Sequence, residues 1–322
     1  MRLLSRRTAL AGVIAGATAA RAGAWPEKSV SWIVPYPAGG GSDLFARPVA
    51  AGLAERLGQP MVIDNRSGAG GTIGTLAAAR APADGYTLLV GDTGLTYAPL
   101  VYPKAGFDFG RDFAAVSGLA RVPYVLLVNP ARLDVGDLAA FIAAARRKPG
   151  DIDIGSAGLG SVTHFAIGLF EARAEVKLTH VPYRGGAPML QDLLAGQVAA
   201  AFVLANVAAP HVQSGKLRAL AVAGRRREQL MPAVPTMEEA GLPDFRATIW
   251  FGLFAPAATP APLLDRLHGE VQAVLREDKV RKLWAEQGAR VESESRADFA
   301  RFVATDAERW SRIARAANLQ ME

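Results

Sequence analysis

Apolar positions along this 322-residue chain fall into two alternating patterns. Short, mostly apolar runs at 30–34, 60–64 and 86–90 read as strands. Behind Asp43, Leu44, Ala46, Val49, Leu53 and Leu57 recur at helical spacing, and a second helical run covers 75–80. Strand and helix in strict alternation imply right-handed crossovers and a parallel sheet. The series restarts near 121–123, with strands at 122–128, 151–154, 178–181, 198–202 and 217–222. Helices are expected at 138–147, through Thr163, Phe165, Ile167, Leu169 and Phe170, and at 189–194. A strongly apolar strand at 249–254 returns the chain to its first unit.

The expected fold class is therefore α/β, with two α/β domains joined by two crossing strands: 25–122 plus 249–322, and 123–248. Three helices close the chain. Thr259 is expected to cap one that starts at Pro260 and runs to about Arg276, and 278–287 forms the next, ended by Gly288. Ser295 and Asp298 make a capping box ahead of the last, whose stripe of Phe299, Phe302, Trp310 and Ile313 is expected to dock on the first domain.

Polar chemistry gathers where strands end. The turn Pro35-Tyr36-Pro37-Ala38-Gly39-Gly40-Gly41-Ser42-Asp43 joins the first strand to the first helix. Glycines there let the backbone approach a ligand, and the first helical N–H groups, at the positive end of the helix dipole, form an anion site without a cationic side chain. Two more Gly/Ser-rich turns repeat the design: Asn65 to Gly74, with four glycines in seven residues, and Gly155-Ser156-Ala157-Gly158-Leu159-Gly160-Ser161. In parallel sheets ligands bind off the carboxyl ends of strands, where these turns and Gly91-Asp92-Thr93-Gly94 fall. Facing turns of this kind suit a small anion, most simply a carboxylate. An acid at Asp43 is awkward beside an anion. Its side chain is expected to cap its own helix or to meet a ligand donor through water, with Arg47 as an i+4 partner.

Composition narrows the function. Half of the residues are hydrophobic, enough for two full cores, and the formal charge is +6. Residues 1–24 hold four of the 36 basic residues and no acid, leaving 32 bases against 30 acids, so nothing suggests nucleic acid as a partner. Those residues read as an export signal: Arg2, Arg6 and Arg7 precede an apolar stretch from Ala9 to Ala20, and Ala22-Gly23-Ala24 suits cleavage before Trp25. Ser5-Arg6-Arg7-Thr8-Ala9-Leu10 also resembles a twin-arginine signal, with alanine in place of the usual phenylalanine. The chain has no cysteine, which removes disulfides, thiolate metal sites and cysteine nucleophiles. No phosphate loop, dinucleotide fingerprint, G-x-S-x-G elbow or H-E-x-x-H occurs, so no cofactor or metal is expected. One catalytic alternative stays open, a hydrolase using Ser161 with His164 one helical turn beyond it.

The turn at 34–43, Asn65-Arg66-Ser67-Gly68-Ala69-Gly70-Gly71, Ala83-Asp84-Gly85-Tyr86, Gly155 to His164, His180-Val181-Pro182-Tyr183-Arg184-Gly185 and Gly215 to Val222 occur in one continuous order. Val234-Pro235-Thr236, Glu239-Ala240-Gly241 and Trp250 with Gly252 and Ala255-Pro256 follow. Across roughly 25–318 this series resembles the Bug-family solute-binding proteins, the extracytoplasmic receptors of tripartite tricarboxylate transporters. The resemblance implies a periplasmic binding protein fold closing on its ligand like a Venus flytrap, a small organic carboxylate as ligand, membrane permease subunits as partners, a monomeric state and a periplasmic location. A sensor presenting the carboxylate to a membrane kinase is the alternative in the same class.

Carried over residue by residue, the resemblance puts Tyr36, Ala38, Gly39 and Asp43 on one lip and Ser156, Gly160, Ser161 and His164 on the other, with Thr72 and Tyr183 as wall residues. Pro37, Gly40, Gly158, Asp92 and Thr93, from the same strand-end turns, complete the candidate set. Val203 stands where many members carry an acid, which points to a plain or aromatic carboxylate rather than an amino acid.

Overall fold

A computed structural model describes residues 25–291 and 293–316. The expected export signal, 1–24, lies outside the described residues. The chain opens with β1 (Val30–Val34), α1 (Gly41–Leu57), β2 (Met61–Asn65), α2 (Thr72–Ala79), β3 (Thr87–Asp92), α3 (Thr93–Val101) and the short α4 (Phe109–Asp112). A 16-residue strand, β4 (Phe113–Val128), then leaves this lobe. The second lobe contains α5 (Leu138–Arg147), β5 (Asp153–Ser156), α6 (Val162–Ala174), β6 (Thr179–Pro182), α7 (Gly186–Leu194), β7 (Ala200–Leu204), α8 (Ala205–Gln213) and β8 (Arg218–Val222). The long β9 (Thr248–Pro256) returns, followed by α9 (Ala261–Leu275), α10 (Asp278–Glu286) and α11 (Arg296–Ala316).

The two lobes repeat one topology. The first sheet runs β2-β1-β3-β9-β4, and all its strands are parallel except β9. The second runs β6-β5-β7-β4-β8, all parallel except β4. In each lobe the single antiparallel strand is the one arriving from the other lobe. β4 and β9 pair where they cross, Arg121 opposite Trp250 and Pro123 opposite Thr248. Helices cover both faces of each sheet, which is why the central strands, such as Val30–Val34, read as continuous apolar runs.

Three expectations are corrected here. The first half of β4 is a strand although Phe113 to Arg121 is rich in alanine and glycine, residues that disfavour strands. The small residues serve packing: Gly118 and Gly252 sit opposite one another on β4 and β9, and the ring of Phe299 lies over both. Second, Thr259 does not cap α9; Pro260 holds the cap position, and the buried Thr259 hydroxyl has no hydrogen-bond partner among the described residues. Third, α11 does not dock on the first lobe alone. Its Phe299 packs with Trp250 and Phe254, but Trp310 and Ala314 enter the core of the second lobe beside Phe165. The helix straps the lobes together, and the capping box at Ser295 and Asp298 forms as expected.

Candidate functional site

Asp43 organises the first lip. One carboxylate oxygen accepts the Gly39 N–H at 2.9 Å and the Arg47 Nε–H at 2.7 Å; the other accepts Arg47 and the Asn65 amide, at 2.8 and 3.1 Å. Asn65 also donates to the Tyr36 carbonyl, tying the turn to the end of β2. Burial opposes ionisation of Asp43, but the Arg47, Gly39 and Asn65 bonds outweigh it and hold the carboxyl below its ordinary range. The acid is therefore a staple for the turn rather than a cap for its own helix. Gly39 adopts φ +80°, a conformation that favours glycine, and Pro37, Ala38 and Gly39 are exposed.

At the cap position of α1, Gly40 brings no side-chain acceptor. The Gly41, Ser42 and Asp43 N–H groups consequently point out of the helix with no protein acceptor among the described residues, at the positive end of a 17-residue dipole.

The neighbouring turns support this lip rather than extend it. Asp92 caps α3, accepting the Gly94 and Leu95 N–H groups at 2.8 and 3.3 Å, and receives the Tyr36 and Ser42 hydroxyls. Burial pushes its carboxyl up to about 6. Thr93 is wholly buried and accepts the Trp250 N–H. The Thr72 hydroxyl donates to the Ala69 carbonyl, and at Gly71, φ +92°, an added Cβ would crowd Leu95 and the Tyr36 ring.

In the second lip much of the turn is hydrogen-bonded to itself. The Ala157 N–H donates to Thr163, Gly158 to Ser156, Ser161 to the Gly158 carbonyl, and Gly160 to Nδ1 of His164. Ser161 caps α6 through the His164 N–H and donates its own hydroxyl to the Gly158 carbonyl at 2.7 Å. His164 stacks on His180 at 4.0 Å, and Nε2 of His180 meets the Ser156 hydroxyl at 2.6 Å. Burial, then the neighbouring His180, lowers His164 to about 4, so its ring is neutral at pH 7 with the proton on Nε2. Nδ1 is occupied by Gly160, and the Ser161 hydroxyl contacts no imidazole nitrogen. A nucleophile–base pair is recognised by that hydrogen bond, and the Ser161 hydroxyl instead meets the Gly158 carbonyl and Thr163, so the geometry lends the Ser161–His164 hydrolase no support.

Tyr183 and Val203 are engaged within the second lobe. The Tyr183 hydroxyl donates to Asp192 at 2.9 Å. Val203 is buried among Val125, Met189 and Ala201 in the core of the second lobe. The lips meet at one corner. The backbone of Gly160 lies so close to Val101 of α3 that an added Cβ would be 2.5 Å from the valine, and Tyr97 of α3 sets its ring edge-on to Phe165 at 4.9 Å.

The sequence also matches a family model described as the tripartite tricarboxylate transporter family receptor, over residues 45–319. This chain belongs to that family. Such receptors, the Bug proteins among them, include BugT of Bordetella pertussis, which is 37% identical over 296 residues, 90% of each chain. Among solved structures, R. palustris Rpa4515 with adipate is 37% identical with a TM-score of 0.81, covering 92% of this chain and all of the other. MatC from Rhodopseudomonas palustris with bound malate is 34% identical with a TM-score of 0.78, covering 90% of this chain and all of that one. The receptor fold of the family is the fold found here. Sequence reasoning missed Asn65 as the link between Asp43 and the Tyr36 carbonyl, although it lies in the Asn65-Arg66-Ser67-Gly68 segment that carried the resemblance.

Proposed function

We propose that this chain is a periplasmic receptor that binds a small organic carboxylate between its lobes and delivers it, as a monomer, to the membrane subunits of a tripartite transporter. The observation that carries the reading is the uncapped start of α1, where three backbone N–H groups converge beside an acid already neutralised by Arg47. A carboxylate there accepts those N–H groups without meeting a free negative charge. The ligands named for two relatives, adipate and malate, are dicarboxylates, so the proposed class is a four- to six-carbon dicarboxylate. The proposed moving bodies are 25–122 plus 249–322 and 123–248, with β4 and β9 as the hinge and the Trp310 end of α11 reaching across to the second body.

Thermal shift against adipate, malate, benzoate and glutamate tests this. A ligand at 100 times its Kd adds about 2.7 kcal/mol to the folded state, a clear rise in melting temperature. Asp43→Ala releases Gly39, Arg47 and Asn65 together and is expected to weaken binding at least tenfold, roughly 1.4 kcal/mol. No rise with any of the four carboxylates, or equal binding by Asp43→Ala, refutes the proposal.

A further inference from the structure

An open groove of about 1070 Å³ lies on the second lobe, between α6, β6 and the end of α11, on the far side of His164 from the Gly160 turn. Its size is that of a small-molecule site. Ile167, Leu169, Val176 and Ile313 supply an apolar surface, while Arg173, Lys177, Arg309 and Arg312 supply positive charge. The charge is only partly offset. Lys177 pairs with Glu171 and Arg309 with Asp306, but Arg173 and Arg312 are exposed and form no hydrogen bond or ion pair among the described residues. Arg246 adds to the crowd, and the mutual proximity of these guanidiniums, after burial, lowers the proton affinity of Arg309. Asp244 is the one further acid along the groove. His164 lines it too, and with Nδ1 held by Gly160 its Nε2–H is a neutral donor.

We propose that this groove is a second binding site, for an organic anion with an apolar body, such as a medium-chain monocarboxylate. The carboxylate sits between Arg173 of α6 and Arg312 of α11, where bidentate guanidinium contacts suit its planar shape, and the hydrocarbon lies on the partly exposed Leu169 and Ile313. The apolar surface argues against inorganic phosphate, which has nothing to place there. Occupancy has a structural consequence. It bridges α6 to α11, the helix that straps both lobes, and rests on His164, whose ring holds the Gly160 turn against Val101. Filling the groove therefore reinforces the contact between the lips from outside the cleft.

The test is binding of octanoate to the full chain, followed by thermal shift and by the fluorescence of Trp310, over whose ring Arg309 lies at 4.8 Å. Three proteins are compared: the unaltered chain, Arg173→Glu/Arg312→Glu, and Gly39→Trp, which crowds the first lip. Both arginines are exposed and unpaired, so the double variant is expected to fold, with adipate binding and circular dichroism as the check; Arg173→Gln/Arg312→Gln serves if it does not. The proposal expects octanoate binding to fall at least tenfold in the double variant and to survive in Gly39→Trp, with inorganic phosphate giving no response. Three results overturn it: no octanoate response at about 1 mM in the unaltered chain, a response unchanged in the double variant, or one lost only in Gly39→Trp, which places octanoate in the cleft.

Discussion

Asp92→Asn isolates the burial of one carboxyl from everything else that titrates. Asp92 is 4% exposed, yet it receives two backbone N–H groups and two hydroxyls. Burial wins over those bonds and raises its pKa from 3.8 to about 6. The folded state thus holds this proton more tightly than the unfolded chain. The resulting stabilisation is fully present below about pH 4 and is lost as pH rises through about 6. Two pKa units correspond to about 3 kcal/mol.

In the variant, the amide oxygen still accepts from Gly94 and Leu95, and its NH2 finds acceptors in the Tyr36 and Ser42 hydroxyls. The variant is therefore expected to match the parent near pH 4 and to exceed it by up to about 3 kcal/mol near pH 8. Urea midpoints of both proteins across that range measure this, and every other titrating group, including His164, His180 and Asp306, cancels in the difference. A difference that is flat with pH, or a variant less stable near pH 8 than near pH 4 relative to the parent, refutes the argument from burial.

Two other substitutions test the packing and the second lip. In Gly252→Ala the new methyl would lie 2.4 Å from the Phe299 ring, and overpacking of this kind costs about 1–3 kcal/mol in urea unfolding; Phe299→Leu is expected to recover part of it. Ser161→Ala removes the cap of α6 and is expected to cost about 1 kcal/mol. Any ester turnover by the parent that this substitution abolishes would contradict the role of Ser161 as a cap.

Much of the site's position was legible without coordinates. A Gly-rich turn between an apolar run and an amphipathic helix implies outward N–H groups wherever it occurs, and the Arg47–Asp43 pair follows from helical spacing alone. The Ser161 cap and the Gly/Ser composition of its turn were equally local, but whether that turn keeps its N–H groups for a ligand depends on Thr163, Ser156 and His164 side chains folding back onto it. Asp92 and Thr93 fall at a strand end, as binding residues do, and only the packing of β9 and Tyr36 around them shows that their polar atoms are already engaged.

What the sequence determined by itself was the alternation of strand and helix, the two-lobe order and the turns at the strand ends, because each rests on periodicity and backbone preference within a few residues. What only the tertiary structure decided were contacts between segments far apart in the chain. Glycine and alanine in β4 and β9 look like poor strand residues until Phe299, from the other end of the chain, settles over Gly118 and Gly252. The last helix looks like a docking stripe for one lobe until Trp310 is found beside Tyr97 and Phe165. Local pattern reports which face of an element is apolar; the partner buried against that face is set by the global packing.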